Sequence, residues 1–361
     1  MWTLFMIALA LLFAGAFLAL AALFARLLPA RGRIRSLALG AIPAAALIAI
    51  LTLTMGMVNA IVCALNLIAI WGIVCLLLRL IRRQHARFLS AALAIAITAG
   101  YLAFGWVSAH RVQREYYLLQ SPKLASPMRL AVFTDSHVGT TFSGKGLAPY
   151  LDRMQAENPD AVLIVGDFVD DDTSRDEMLD ACAALDALDC PVYYVFGNHD
   201  KGYYDDARRG YGAAELVSAL EAVGVTVLED EAVSLRGDVR LIGRNDLSEN
   251  QRGNARAEIA ELAQTGENAG AFAIVMDHQP ADFDAEAAAG VDLVLCGHTH
   301  GGQMIPINHV GEWLGINDLV YGRETRGNTQ FIVSSGISDW ALQFKTGCHS
   351  EYLIVDLQPE E

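Results

Sequence analysis

Apolar residues crowd the first 108 positions in four runs, roughly 2–25, 37–56, 57–78 and 88–108. Each run is close to the ~20 residues that a helix needs to cross about 30 Å of hydrocarbon. Arg26, Arg31, Arg33 and Arg35 divide the first two runs, and Arg79, Arg82, Arg83 and Arg87 divide the last two. The turn at Met55-Gly56-Met57 carries no charge. The pattern predicts a transmembrane region of four helices over residues 1–109. Four such runs in one soluble core would need an improbably large interior without water.

The pattern then changes period. Short apolar runs at Met128–Thr134, Ala161–Val165, Val192–Phe196, Ala271–Met276 and Val291–Cys296 predict buried strands. Val225–Leu228, Val233–Leu235, Arg240–Gly243, Phe331–Ser334 and Tyr352–Val355 add shorter ones. Helical spacing fills gaps such as Asp176–Leu188 and Ala213–Val223. This alternation predicts an α/β domain over 127–361, with two packed sheets and helices outside them. Residues 110–126 read as a connector. Its Tyr116, Tyr117, Leu118 and Leu119 suit either an interfacial segment or a plain linker.

Charge separates the same two regions. Of the 361 residues, the first 120 carry ten Arg and one acid, Glu115; the remainder has 16 Lys plus Arg against 40 Asp plus Glu. Eight Arg in the first and third loops should stay cytoplasmic. The soluble domain should then lie outside the cytoplasm, attached to the cell membrane as part of an integral membrane protein. A domain carrying about −24 repels polyanions, so no nucleic-acid partner is expected. The six cysteines have no repeating CxxC spacing, and both disulfides and buried thiols are open for Cys182, Cys190, Cys296 and Cys348. Nothing in the sequence indicates an oligomeric state.

Polar residues with metal-binding chemistry stand just past the strand ends. They are Asp135 and His137; Asp167, after Gly166; Asn198 and His199, after Gly197; His278; and His298 and His300, after Gly297. The C-terminal ends of strands are where open α/β sheets bind ligands. A carboxylate such as Asp167 can bridge two cations, and Asn198 adds a neutral oxygen. Two cations about 3.5–4 Å apart acidify a shared water and clamp a phosphate. Mixed imidazole nitrogen and oxygen ligands suit Mn, Fe or Zn better than Ca. Gln303 reads equally as a substrate contact or a structural amide. Arg244 reads as a phosphate contact or an ion pair, and Asp171 and Asp172 as solvated acids.

The ordered motifs Asp135-Ser136-His137, Gly166-Asp167-Phe168-Val169-Asp170, Gly197-Asn198-His199-Asp200, Asp277-His278-Gln279-Pro280 and Gly297-His298-Thr299-His300-Gly301-Gly302-Gln303 resemble the calcineurin-like metallophosphoesterase superfamily. With Ser335-Gly336 and Gly347-Cys348 they are similar to its YkuE-like membrane-associated branch. Four spans ahead of the domain resemble the plan of the family called transmembrane protein with metallophosphoesterase domain. The resemblance covers about 128–357 and departs from the family pattern at Ile337-Ser338-Asp339-Trp340.

That resemblance implies two mixed sheets flanked by helices and two divalent metal ions. Asp135, His137, Asp167 and His300 would hold one ion. Asp167, Asn198, His278 and His298 would hold the other. His199, oriented by Asp170, would give a proton to the leaving oxygen. The implied activity is hydrolysis of phosphoesters, phosphodiesters first among them, with a free or lipid-linked substrate. Two alternatives stand beside it: a lipid-directed pyrophosphatase of the UDP-diacylglucosamine hydrolase type, and an inactive metal-binding scaffold.

Overall fold

The apolar runs at the N-terminus form helices α1 (Trp2–Ala25), α2 (Arg33–Leu80) and α3 (Arg87–His110). This is a computed structural model, and it describes residues 2–28, 32–81, 87–203, 206–265, 268 and 270–360. The loop residues Arg31, Arg82 and Arg83 therefore lie outside the described residues. The chain divides into two units, the first ending at Trp106 and the second starting at Val107.

Within the first unit α2 is 48 residues long but leaves helical geometry at Gly56, with φ 81° and ψ 164°. A Cβ at Gly40 would overlap the Ala21 carbonyl of α1. The Trp71 ring lies 5.7 Å from Phe24 of the same helix. A straight helix would hold residues 40 and 71 about 46 Å apart, against about 4.5 Å between residues 21 and 24. The chain therefore reverses at Gly56, and both arms of α2 pack on α1. Trp71 also donates to Ser90 of α3 at 3.3 Å. Four crossings were expected from the sequence. Among the described residues, α2 and α3 are the two helices long and apolar enough to cross a membrane, and α1 contributes a shorter apolar stretch, Ala10–Ala25.

Among the described residues the second unit holds twelve strands: β1 (Gln113–Ser121), β2 (Met128–Phe133), β3 (Ala161–Val165), β4 (Val192–Val195), β5 (Val225–Val227), β6 (Glu231–Arg236), β7 (Val239–Gly243), β8 (Phe272–Met276), β9 (Leu293–Cys296), β10 (Gly322–Arg326), β11 (Thr329–Val333) and β12 (Glu351–Pro359). They form two mixed six-stranded sheets, ordered β1-β12-β2-β3-β4-β5 and β10-β11-β9-β8-β7-β6. Leu163 and Val165 of β3 meet Ile274 and Met276 of β8 in the layer between the sheets. The alternate residues Val162 and Ile164 pack outward under the helices Ala148–Gln155, Arg175–Leu185 and Ala213–Ala222. Burial on both faces is why these strands read as unbroken apolar runs.

Two strands differ from the sequence expectation. Gln113–Ser121, inside the stretch read as a connector, pairs in parallel with β12. Tyr117 and Leu119 turn inward while Tyr116 and Leu118 are exposed. Gly322–Arg326 pairs antiparallel with β11. Both are edge strands; β10 is polar throughout, and the short run Tyr116–Leu119 of β1 is flanked by polar residues on both sides. All six cysteines are free thiols.

Candidate metal centre

Strands β2, β3 and β4 run parallel in one sheet, as do β7, β8 and β9 in the other. Their C-terminal ends carry every candidate residue. The loops after them are stitched by backbone bonds from Asp135 N to Gly166 O (3.0 Å), His137 N to Asp167 O (3.1 Å) and Gly297 N to His278 O (3.0 Å). Side chains cross between the sheets. The Asp135 carboxylate accepts from His298 N at 3.0 Å, and His278 Nδ1 donates to Val165 O at 2.8 Å.

Backbone conformation converges the side chains. Asp135, His137, Asp167, His298 and His300 all have φ between 36° and 70°. Left-handed geometry at non-glycine residues costs on the order of 1–3 kcal/mol each and clusters at functional sites. Here it turns residues that would alternate along a strand toward one point. Close approach requires glycine at Gly197 and Gly297, where a Cβ would overlap Asp167 and Asp135 respectively.

Three groups of ligand atoms result here among the described residues: Asp135, His137 and His300; Asp167, His278 and His298; and His137 with Asp170 and His199. The first two match the expected metal ligands. In the first, Asp135 Oδ1 lies 3.9 Å from His137 Nε2 and 3.5 Å from His300 Nε2. In the second, His278 Nε2 lies 3.1 Å from Asp167 Oδ2, and Asn198 Oδ1 lies 2.7 Å from His298 Nδ1. Asp167 Oδ2 is also 3.6 Å from His137 Nε2, so its carboxylate touches both groups. Bonds of about 2.1 Å to one cation place neighbouring ligands about 3.0–3.4 Å apart, and the separations here, from 2.7 to 3.9 Å, lie on both sides of that range.

The buried nitrogens fit a cation on independent grounds. His137 Nε2 and His278 Nε2 are buried without hydrogen-bond partners among the described residues. A buried polar atom left so is costly unless something unrecorded occupies its lone pair. The bond from His278 Nδ1 to Val165 O fixes the tautomer that leaves Nε2 free to ligate. Burial drives the His137 imidazole well below its ordinary range, whereas at His278 burial is outweighed by the Asp167 carboxylate, which holds the imidazole well above it, so a cation on His278 Nε2 would take the place of a proton.

His199 sits beside this centre with its ring 5.1 Å from His137. Its backbone N donates to Asp167 Oδ1 at 2.8 Å. Its Nδ1 is shared between Asp170 Oδ1 at 3.1 Å and Asp171 Oδ2 at 3.3 Å. Asp171, expected to be solvated, is instead buried and also accepts from Tyr203 N at 2.7 Å. Only Asp172 is a surface acid, paired with Arg208. Burial opposes charge on His199, but Asp167, Asp170 and Asp171 outweigh it and push the imidazole up to about 10. Such a group is protonated, and able to donate, below that value. Asp171→Asn removes one stabilising acid, so the alkaline limb of kcat/KM is expected to move to lower pH while the acid limb stays. A pH–rate profile of the two proteins checks this.

Sequence reasoning gave Asp200 no role. Fully buried, its carboxylate accepts from Asp167 N (2.8 Å), Val169 N (2.9 Å) and Gly197 N (2.7 Å), and so ties the loops after β3 and β4 together. Its position beside His199 was the available signal. Of the residues with two readings, Arg244 is buried in ion pairs with Asp277 and Asp282, both at 2.9 Å. The Gln303 side chain donates to Leu342 O at 3.0 Å. Both are structural contacts.

Residues 128–302 match the profile of the family described as calcineurin-like phosphoesterase. A Campylobacter jejuni protein named as an uncharacterized metallophosphoesterase is 27% identical over 244 residues, covering 66% of this chain and 62% of that one. The transmembrane protein with metallophosphoesterase domain of Danio rerio is 28% identical over 235 residues, 61% of this chain and 52% of the relative. Phosphodiesterase YaeI of Escherichia coli is 24% identical over 287 residues, 76% of this chain and 98% of the relative. The alignment thus spans about three-fifths of the length of the Campylobacter protein.

Proposed function

On the premise that this chain carries a calcineurin-like metallophosphoesterase domain, we propose that it is a membrane-anchored phosphohydrolase using two divalent cations. The observation that carries this reading is the pair of buried ligand groups joined by Asp167, with unpartnered imidazole nitrogens aimed inward. Asp135, His137, Asp167 and His300 would hold one ion, and Asp167, Asn198, His278 and His298 the other. Mn, Fe or Zn suits these donors. Bound there, the ions supply Lewis acidity that polarises water and neutralises phosphate oxygens.

The remaining work belongs to the chain. His199 keeps Nδ1 on Asp170 and Asp171, which leaves Nε2 to give its proton to the departing oxygen. Tyr203 and Trp340 lie 5.2 and 5.3 Å from its ring and restrict how the ring turns. The name of the Escherichia coli relative favours phosphodiesters as the substrate class.

The membrane part of the reading rests on the apolar helices. With the reversal at Gly56, α1, both arms of α2, and α3 supply four helical segments for four crossings. Eight loop arginines, which favour the cytoplasmic side, support a domain outside the cytoplasm. A reporter fused at the C-terminus and found in the cytoplasm would refute that orientation. The activity is tested by stripping metal from the purified full chain, restoring Mn, and assaying a soluble monoester and a soluble diester. Metal-dependent turnover is expected, with the diester preferred. Absence of turnover on both after reconstitution would overturn the function.

A further inference from the structure

Immediately after the last candidate ligand, His300, the chain makes an outward loop of unusual composition. Among the described residues from 107 onward, eleven large apolar side chains are exposed, and six lie within the twelve positions Ile305–Ile316. Trp313 and Leu314 are 70% and 68% exposed, Ile307 64% and Ile316 61%. An apolar cluster of this density on a water-facing surface marks an interaction site.

The loop is built to hold those side chains out. Ile305 N donates to Thr346 Oγ1 at 3.0 Å, and Thr346 N and Gly347 N donate to Gln303 O at 2.8 and 3.0 Å. Buried Met304 anchors its start. The one charge in the segment, Glu312, is turned back: it accepts from His309 Nδ1 at 2.9 Å and from Val320 N at 2.8 Å. Thr299, between the ligands His298 and His300, donates to Val320 O at 2.6 Å. The apolar loop is therefore fastened at both ends to the segment that carries two candidate metal ligands.

We propose that Ile305–Ile316 enters the headgroup layer of the bilayer and thereby presents lipid-linked phosphoesters to the metal centre. The occupant is a membrane because the same chain carries the apolar helices α2 and α3, and only two residues separate the end of α3 at His110 from the start of β1 at Gln113. A tether that short keeps the domain at a bilayer. Tryptophan among aliphatic residues, with no free charge, is the composition that seats at that interface. This inference rests on the proposed hydrolase and narrows its substrate class.

The test uses the full chain in phosphatidylcholine vesicles with and without brominated acyl chains. Subtracting the emission of Trp313→Phe from wild type cancels the other tryptophans. The difference emission is expected to fall at least about two-fold in brominated lipid. In parallel, Trp313→Ser with Leu314→Ser is assayed on a nitrophenyl phosphodiester carrying an acyl chain and on its water-soluble counterpart. Turnover of the acylated ester should drop about ten-fold, with the soluble ester unchanged and the acylated rate recovered in Trp313→Leu. An unquenched difference signal, as a second copy covering the loop would give, overturns the docking. A ratio of acylated to soluble rates in the double variant that is unchanged from wild type overturns the lipid substrate. Failure of wild type on both esters refutes the hydrolase itself, while the quenching experiment still reads the loop.

Discussion

Replacing Asp167 with asparagine is expected to remove most bound cation and to lower kcat/KM for a phosphodiester about 10³-fold. Asp167 approaches both ligand groups, 3.6 Å from His137 Nε2 and 3.1 Å from His278 Nε2, whereas Asp135 comes only to 4.0 Å from His278 Nε2. Loss of its charge leaves two cations without a shared counter-ion in a buried site. Losing several kcal/mol of charge stabilisation, about 4 kcal/mol, corresponds to about 10³ in rate. The fold should persist, because asparagine keeps the carbonyl oxygen that accepts from His199 N and leaves the bond from Asp167 N to Asp200 in place. Metal analysis, circular dichroism and kinetics on one preparation check all three points. Full metal occupancy with full activity would remove Asp167 from its bridging role.

His199→Gln is expected to fail differently. His199 Nδ1 is held by Asp170 and Asp171, and neither proposed ion takes it as a ligand, so metal content should stay at the wild-type level. Proton donation typically contributes about 10²–10⁴-fold, and it counts only when the leaving oxygen is basic. An alkyl diester should therefore lose about 10²-fold or more, and a nitrophenyl ester less than about five-fold. Because Asp170 and Asp171 hold only Nδ1, the loss should appear in kcat rather than in KM. Equal losses on both esters at unchanged metal content would mean that His199 is not the acid.

Much of the centre was legible because its chemistry sits at strand ends, where apolar runs stop at Asp, Gly or His. The runs before Asp135, Asp167, Asn198, His278 and His298 are the parallel strands β2, β3, β4, β8 and β9. What escaped depends on three-dimensional context. In β1 only Tyr116–Leu119 is apolar and only Tyr117 and Leu119 turn inward, so Gln113–Ser121 passes for a linker until its pairing with β12 is seen. Asp170, Asp171 and Asp172 are consecutive acids, and only the approach of His199 and Tyr203 N separates the buried two from the exposed one. Asp200 looked like one more acid, but its three backbone bonds appear only once the loops after β3 and β4 are in contact. Left-handed φ at five candidate ligands is likewise invisible in sequence, since Asp and His carry no mark of the conformation they are forced to adopt.

The most direct measurement is a titration of the metal-free full chain with Mn²⁺ followed by electron paramagnetic resonance. The account predicts saturation at about two ions per chain and a spin-coupled signal from ions about 3.5–4 Å apart. Saturation at one ion, or two ions giving only the spectrum of isolated Mn²⁺, would contradict a shared centre bridged by Asp167.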